Sequence, residues 1–342
     1  MFLSASESGD ATQVKMPAHV VRKLHEDPVG YLRRALAGGF AVPETFRSCL
    51  SLLLKNSKTK VDRSRYLKDS KAGNLIVNWL WSTGNSRSLH FLQDHRMTHL
   101  FIQIFVIERR QDMIDSWIRA DEGVLSKDSK AQDPSWIRSR LLLEYLKAET
   151  TLGRGTESAL ETFEVYLQEK SLLDGDGTNR NLSTKNSRIV FGPSGHYLMR
   201  HIREQVMGGQ LDVSLYFRLR TTAHQWSHQN GFEAAWLALY NPSRPDPGPT
   251  LQYLRGLSLA AVAHLTSHRQ AATADLLLKA AEVYLAQERQ KLAFELMTAI
   301  RQYFPKVIGL QEVSHASPPH TTTNEKTEDR THLHLLENLA IG

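Results

Sequence analysis

The chain has 342 residues, 41% of them hydrophobic, which is enough for two or three ordinary domains or for one extended array with a buried core. A formal net charge of +6 favours anionic partners without requiring them. Cys49 is the only cysteine, so no disulfide can form within the chain and a reducing, intracellular compartment is the expected home. No apolar run reaches the roughly 18 residues that a membrane span needs.

Residues 1–15 read as disordered. They carry Glu7 and Asp10 and lack an apolar stretch, which argues against a secretory signal; a mitochondrial presequence would also avoid acids. From Pro17 the pattern is helical through Val20, Val21, Leu24, Tyr31, Leu32, Ala35 and Leu36, and ends at Gly38-Gly39. Pro43 suits the first position of the next helix, whose buried stripe is Phe46, Leu50, Leu53 and Leu54. Between Lys55 and Lys71 stand seven Lys or Arg against Asp62 and Asp69. That stretch reads either as a nucleic-acid surface or as a solvated loop and helix edge.

Leu75–Trp81 is apolar but for Asn78 and is expected to be a buried helix, since no alternating partner strands lie nearby. After a break at Thr83-Gly84-Asn85, Ser86–His95 is expected to be a short helix. Met97–Ala120 forms a hairpin with its turn at Glu108-Arg109-Arg110, and Ser135–Lys170 forms another with its turn at Gly153-Arg154-Gly155. The polar stretch 171–193 reads as a long loop or domain boundary. A helix then runs from Gly195 to Met207. A further hairpin joins Leu211–Gln229 to Phe232–Tyr240. The proline-rich segment 241–249 reads as a linker, Leu251–Leu265 as one helix, and 311–342 as a polar tail with a last short helix at Leu333–Leu339.

Arg269–Pro305 is the most informative segment. Leu277, Ala280, Ala281, Tyr284 and Leu285 recur at one-face helical spacing; so do Leu292, Leu296, Ala299, Ile300 and Tyr303. A helix apolar on two faces needs cover on both sides, so the segment is expected to fold back at Gln287-Glu288-Arg289 although neither Gly nor Pro marks that turn.

The same segment resembles a degenerate tetratricopeptide unit of about 34 residues. With Tyr284 on the tyrosine of that pattern, Ala281 falls on its small position, Ala293 on the helix-B alanine and Pro305 on the terminal proline. Met297 and Ile300 depart from it. Ala159 and Phe163 match the helix-B alanine and phenylalanine of an earlier unit. The anchors Met113, Ala159, Ala234 and Ala293 are unequally spaced, so the expected fold is all-α: an irregular helical-hairpin repeat array, α-solenoid-like, with disordered termini. Its regions are 16–170 and 194–310, on either side of 171–193.

No acid, base and nucleophile assemble in the sequence. The histidine pairs His95/His99, His224/His228 and His264/His268 stand one turn apart, but Arg96, Gln225 and Leu265 replace the glutamate of a zinc-protease motif. Gly153-Arg154-Gly155 and Gly175-Asp176-Gly177 lack a phosphate-loop layout, and Asp174–Gly177 lacks the spacing of a calcium loop. Gly192-Pro193-Ser194-Gly195 is not a nucleophile elbow. No catalytic, cofactor or metal residue is therefore assigned. The one functional pattern is basic: Lys185, Arg188, Arg200, Arg203, Arg218 and Arg220, interleaved with Tyr197, Tyr216 and Trp226, the mix that RNA binding uses. Resemblance to tetratricopeptide and pentatricopeptide-like arrays implies a binding protein, RNA-associated and mitochondrial. The opposing expectation is a scaffold for a peptide or partner helix, and a third is an enzyme with a dispersed site.

Overall fold

A computed structural model describes residues 18–84, 90–120, 134–173, 180–227, 231–305 and 307, with the backbone alone given for 18–21, 90, 134, 170–173 and 180–189. Among the described residues every regular element is helical. In chain order they are α1 (Ala18–Glu26), α2 (Pro28–Ala37), α3 (Pro43–Ser57), α4 (Arg63–Ser70) and α5 (Ala72–Ser82), then a 3-10 turn at His90–Gln93. Next come α6 (His95–Ile107), α7 (Gln111–Ile118), α8 (Pro134–Leu152), α9 (Thr156–Leu173), α10 (Arg180–Met207) and α11 (Val213–Trp226). The last are α12 (Phe232–Leu239), α13 (Gly248–Arg255), α14 (Leu259–Ala263), α15 (Ser267–Ala286) and α16 (Gln290–Tyr303).

Local chemistry sets the starts. Asp27, Asp62, Asp94 and Asp212 each turn a carboxylate onto a backbone N–H of the first turn that follows, and Ser258 and Thr266 do so with hydroxyls. Pro43 stands at the start of α3 as its fixed φ predicts. The expected turns at 108–110, 153–155 and 287–289 all occur.

Three readings need correction. Of the expected helix at 86–95, residues 86–89 lie outside the described residues, and the described part is a 3-10 turn at His90–Gln93, after which Asp94 caps α6. Leu251–Leu265 is two short helices, broken at Gly256 and restarted by the Ser258 cap. The stretch 171–193, expected as a loop, is helical at 171–173 and again from Arg180, and α10 runs straight through Pro193. Pro193 removes one intrahelical hydrogen bond. Packing outweighs it: Val190, Phe191, Leu198, Met199, Ile202 and Val206 are all buried, with Phe191 edge-on to Phe163. Residues 1–17, 174–179 and 308–342, which include the expected disordered ends and the helix at Leu333–Leu339, lie outside the described residues.

Each substantial helix contact joins elements close in chain order. In succession α3 packs on α6, α6 on α8, α8 on α10, α10 on α11, and α15 on α16. One apolar cluster extends from Leu24 to Trp226 and on to Leu237, with Leu167 and Val190 as its members on either side of 170–189, whose side chains lie outside the described residues. A second begins at Phe232 and ends at Phe304. Helix α12 carries the junction, with Leu237 in the first cluster and Phe232, Ala235 and Leu239 in the second. In the last hairpin Ala281 and Ala293 are both 2% exposed, the small-residue contact that lets α15 and α16 approach.

Candidate functional site

The predicted arginines whose side chains are described make different contacts: Arg203 and Arg218 face partners on other helices, and Arg200 lines a hollow. Arg218 reaches back to α9, donating to Glu164 at 2.6 Å with Glu157 at 3.8 Å; the Glu164 hydrogen bond raises its pKa further. Arg203 lies over the rings of Trp236 (5.1 Å) and Tyr240 (4.2 Å), so it holds α10 to α12. Arg220 is half-buried, and its charge, like that of Arg203, is felt at the buried Tyr216 hydroxyl. The side chains of Lys185 and Arg188 lie outside the described residues. Of those with described side chains, Arg200 is the one exposed in a concavity. Helical phase explains the dispersal: α10 and α11 each present their cations to different neighbours.

The structure places other cations beside Arg200. A hollow of about 470 Å³ between α8, α10 and the start of α15 is lined by Lys147, His196, Tyr197, Arg200, His201, Glu204 and Arg269. A second, of about 440 Å³, lies between α3, α4, α6 and α8, where Lys55, Lys58, Arg63, His99, Gln103 and Thr151 line it. Lys147 and Thr151 are four residues apart and so share one face of α8. Thr150 bonds Tyr197 at 2.6 Å. The two hollows therefore adjoin across one turn of α8.

Two buried glutamates organise the floor. Glu144, 5% exposed, accepts from His99 Nδ1 at 2.5 Å and from Lys147 Nζ at 3.0 Å. Glu233, fully buried, accepts from His196 Nε2 at 2.9 Å and from Arg269 at 2.6 Å, and Arg269 also lies 4.0 Å over the Phe232 ring. Burial alone pushes both carboxyls up; the hydrogen bonds and charges of these partners outweigh it and hold each at about 2. Each buried anion thereby fixes a histidine and a cation at the groove surface. Burial lowers the pKa of His201, so its ring is neutral near pH 7. It stacks on Tyr197, centroids 5.5 Å apart and planes 15° from parallel, a flat platform within the larger hollow.

The sequence had flagged the 55–71 stretch that supplies Lys55, Lys58 and Arg63. Nothing local marks Lys147 or Arg269, since each shares its helix with other charged residues, Arg138 and Arg140 in α8 and Lys279 in α15. Of the histidine pairs, His99 is committed to Glu144, and His228 lies outside the described residues; among those described, no three potential ligands stand close enough to share a metal ion. Among the described residues no helix is long and apolar enough to cross a membrane. Comparison with known protein families, curated proteins and solved structures finds no match to this chain.

Proposed function

We propose that this chain is a non-enzymatic helical-hairpin array that binds single-stranded RNA across the two hollows on α8. The observation that carries the reading is their charge. Lys55, Lys58, Arg63 and Arg200 line them without an ion pair among the described residues, beside the Tyr197–His201 stack. Cations that track a phosphate backbone and rings that take a base are the two parts of a sequence-tolerant single-strand site. The resemblance of 269–305 to tetratricopeptide and pentatricopeptide-like units adds an array architecture and a mitochondrial setting in gene expression. The scaffold alternative draws on exposed apolar side chains elsewhere, Phe294 at 72% and Trp81 at 70%.

Fluorescence anisotropy with a short unstructured RNA tests the proposal. Binding should weaken steeply with salt, with a log–log slope of about −3 if four phosphates are neutralised at about 0.7 each. Replacing Lys58 and Arg63 by Gln should lower that slope by about 1.4. A slope near zero, or no binding at low salt, removes RNA and leaves the scaffold reading.

A further inference from the structure

We infer that the hollow between α3, α4, α6 and α8 seats a compact, multiply charged phosphate group, such as the phosphorylated end of an RNA, in preference to internal phosphodiesters. As an account of RNA this rests on the reading above. Three cations converge there: Lys55 from the last turn of α3, Lys58 just past its end, and Arg63 from the first residue of α4. No carboxylate lines the hollow. The acids of the same stretch are committed elsewhere, Asp62 to capping α4 at Arg65 N and Asp69 to Arg65. Arg63 is held in place, its Nε donating to the fully buried Ser57 hydroxyl at 3.1 Å, and Ser57 donates in turn to the Leu54 carbonyl at 2.7 Å. That leaves the rest of the guanidinium fork for a ligand. Leucines 54, 100 and 152 complete the wall and weaken the screening of charge by water.

The charge of the ligand follows from this. Each internal nucleotide carries one negative charge. A terminal monophosphate carries about −1.5 to −2 at pH 7, and a triphosphate more. Three unopposed cations at one point match the terminal group better than a strand passing through. The larger hollow differs: Glu204 lines it, and its Lys147 and Arg269 are already paired with Glu144 and Glu233. It suits a diester and a stacked base. The phosphorylated end would thus lie toward α4 and the following nucleotides toward α15.

The test uses the full chain and one RNA sequence carrying a 5′-hydroxyl, 5′-monophosphate or 5′-triphosphate, labelled at its 3′ end, together with inorganic tripolyphosphate measured by calorimetry. The triphosphate end should bind about tenfold tighter than the hydroxyl end. Lys58→Gln/Arg63→Gln should close that gap, whereas Arg200→Gln should weaken all three RNAs alike and preserve it. Circular dichroism confirms that the variants fold. Equal binding of the three ends overturns the seat and leaves the RNA reading standing. Tripolyphosphate bound through Lys58 and Arg63 with no RNA bound keeps the seat and removes the RNA reading, and binding of neither removes both.

Discussion

Glu144 and Glu233 hold their protons far less tightly than an ordinary glutamate, about 2 against 4.5, and that difference is a statement about acid stability. A carboxyl whose folded pKa lies below its unfolded one stabilises the fold above pH 4.5, and that stabilisation is lost as pH falls toward 2. The contribution is of order 3 kcal/mol for each. Urea midpoints followed by circular dichroism should therefore drop between pH 5 and pH 3. The double variant Glu144→Gln/Glu233→Gln should be less stable at pH 7 and show a flatter fall; parallel curves for the two proteins would show that these glutamates are not the acid-labile groups. The glycines of α10 make a second residue-scale contrast. A Cβ at Gly195 would lie 2.3 Å from the Trp226 ring, which is 1% exposed and donates to Thr222 Oγ1, so the ring has no room to yield. Gly195→Ala should cost about 1–3 kcal/mol from overpacking, less a gain of up to about 1 in helix propensity. At Gly192 the nearest atom to such a Cβ is 3.8 Å away, so Gly192→Ala should be neutral or slightly stabilising. Equal midpoints for the two variants would contradict that geometry.

Four helices end with the same backbone motif, and two of them do so at a cost. Phe40 N bonds Ala35 O, Arg110 N bonds Phe105 O, Gln210 N bonds Gln205 O and Arg289 N bonds Tyr284 O, each closing over a left-handed residue. That residue is Gly39 or Gly209 in two cases but Arg109 (φ 58°) or Glu288 (φ 60°) in the others. A side chain there costs about 1–2 kcal/mol. Glu288→Gly should thus raise the urea midpoint by about 1 kcal/mol of stability, and Gly209→Ala should lower it by as much; Glu288→Gly leaving the midpoint unchanged would mean that the side chain carries a compensating contact. These two turns were legible in the sequence without Gly or Pro, because a switch of the apolar face revealed each fold-back. Local cues failed at 180–193, where Pro193 and polar residues read as a loop or boundary. There Phe191 on Phe163 and Gly195 on Trp226, contacts between segments far apart in sequence, decide the matter. The site divides the same way. The Lys55–Lys71 run was visible as charge, and Arg200 as part of a basic set. The engagement of Arg218 by Glu164, of Arg203 by Trp236 and Tyr240, and of Lys147 and Arg269 by buried glutamates depends on helical phase between neighbours, which composition does not encode.

Because the substantial helix contacts among the described residues join elements close in chain order, disturbance at one end has few direct routes to the other. Helix α16 packs chiefly on α15, with a smaller contact to α13, and its Leu296 is fully buried in the second apolar cluster. The first cluster is tied instead around Phe101, whose ring meets those of Phe46, Trp79 and Phe91 at 5.8–6.3 Å. Leu296→Ala should remove about 2–5 kcal/mol from the terminal hairpin. In a chain whose stability is a sum of local units and nearest-neighbour interfaces, that loss opens the unit it strikes and leaves distant ones closed. Amide hydrogen exchange should therefore quicken in α13, α15 and α16 while α6 and α8 keep their wild-type protection. Helix α12 is the element to watch, since its Leu237 belongs to one cluster and its Phe232 to the other. Protection of its amides in Leu296→Ala would show that the junction stops the spread. Exchange rising by the same factor in α6 as in α16 would instead mean a single cooperative unit, and neighbour-by-neighbour packing would not then describe how the molecule holds together.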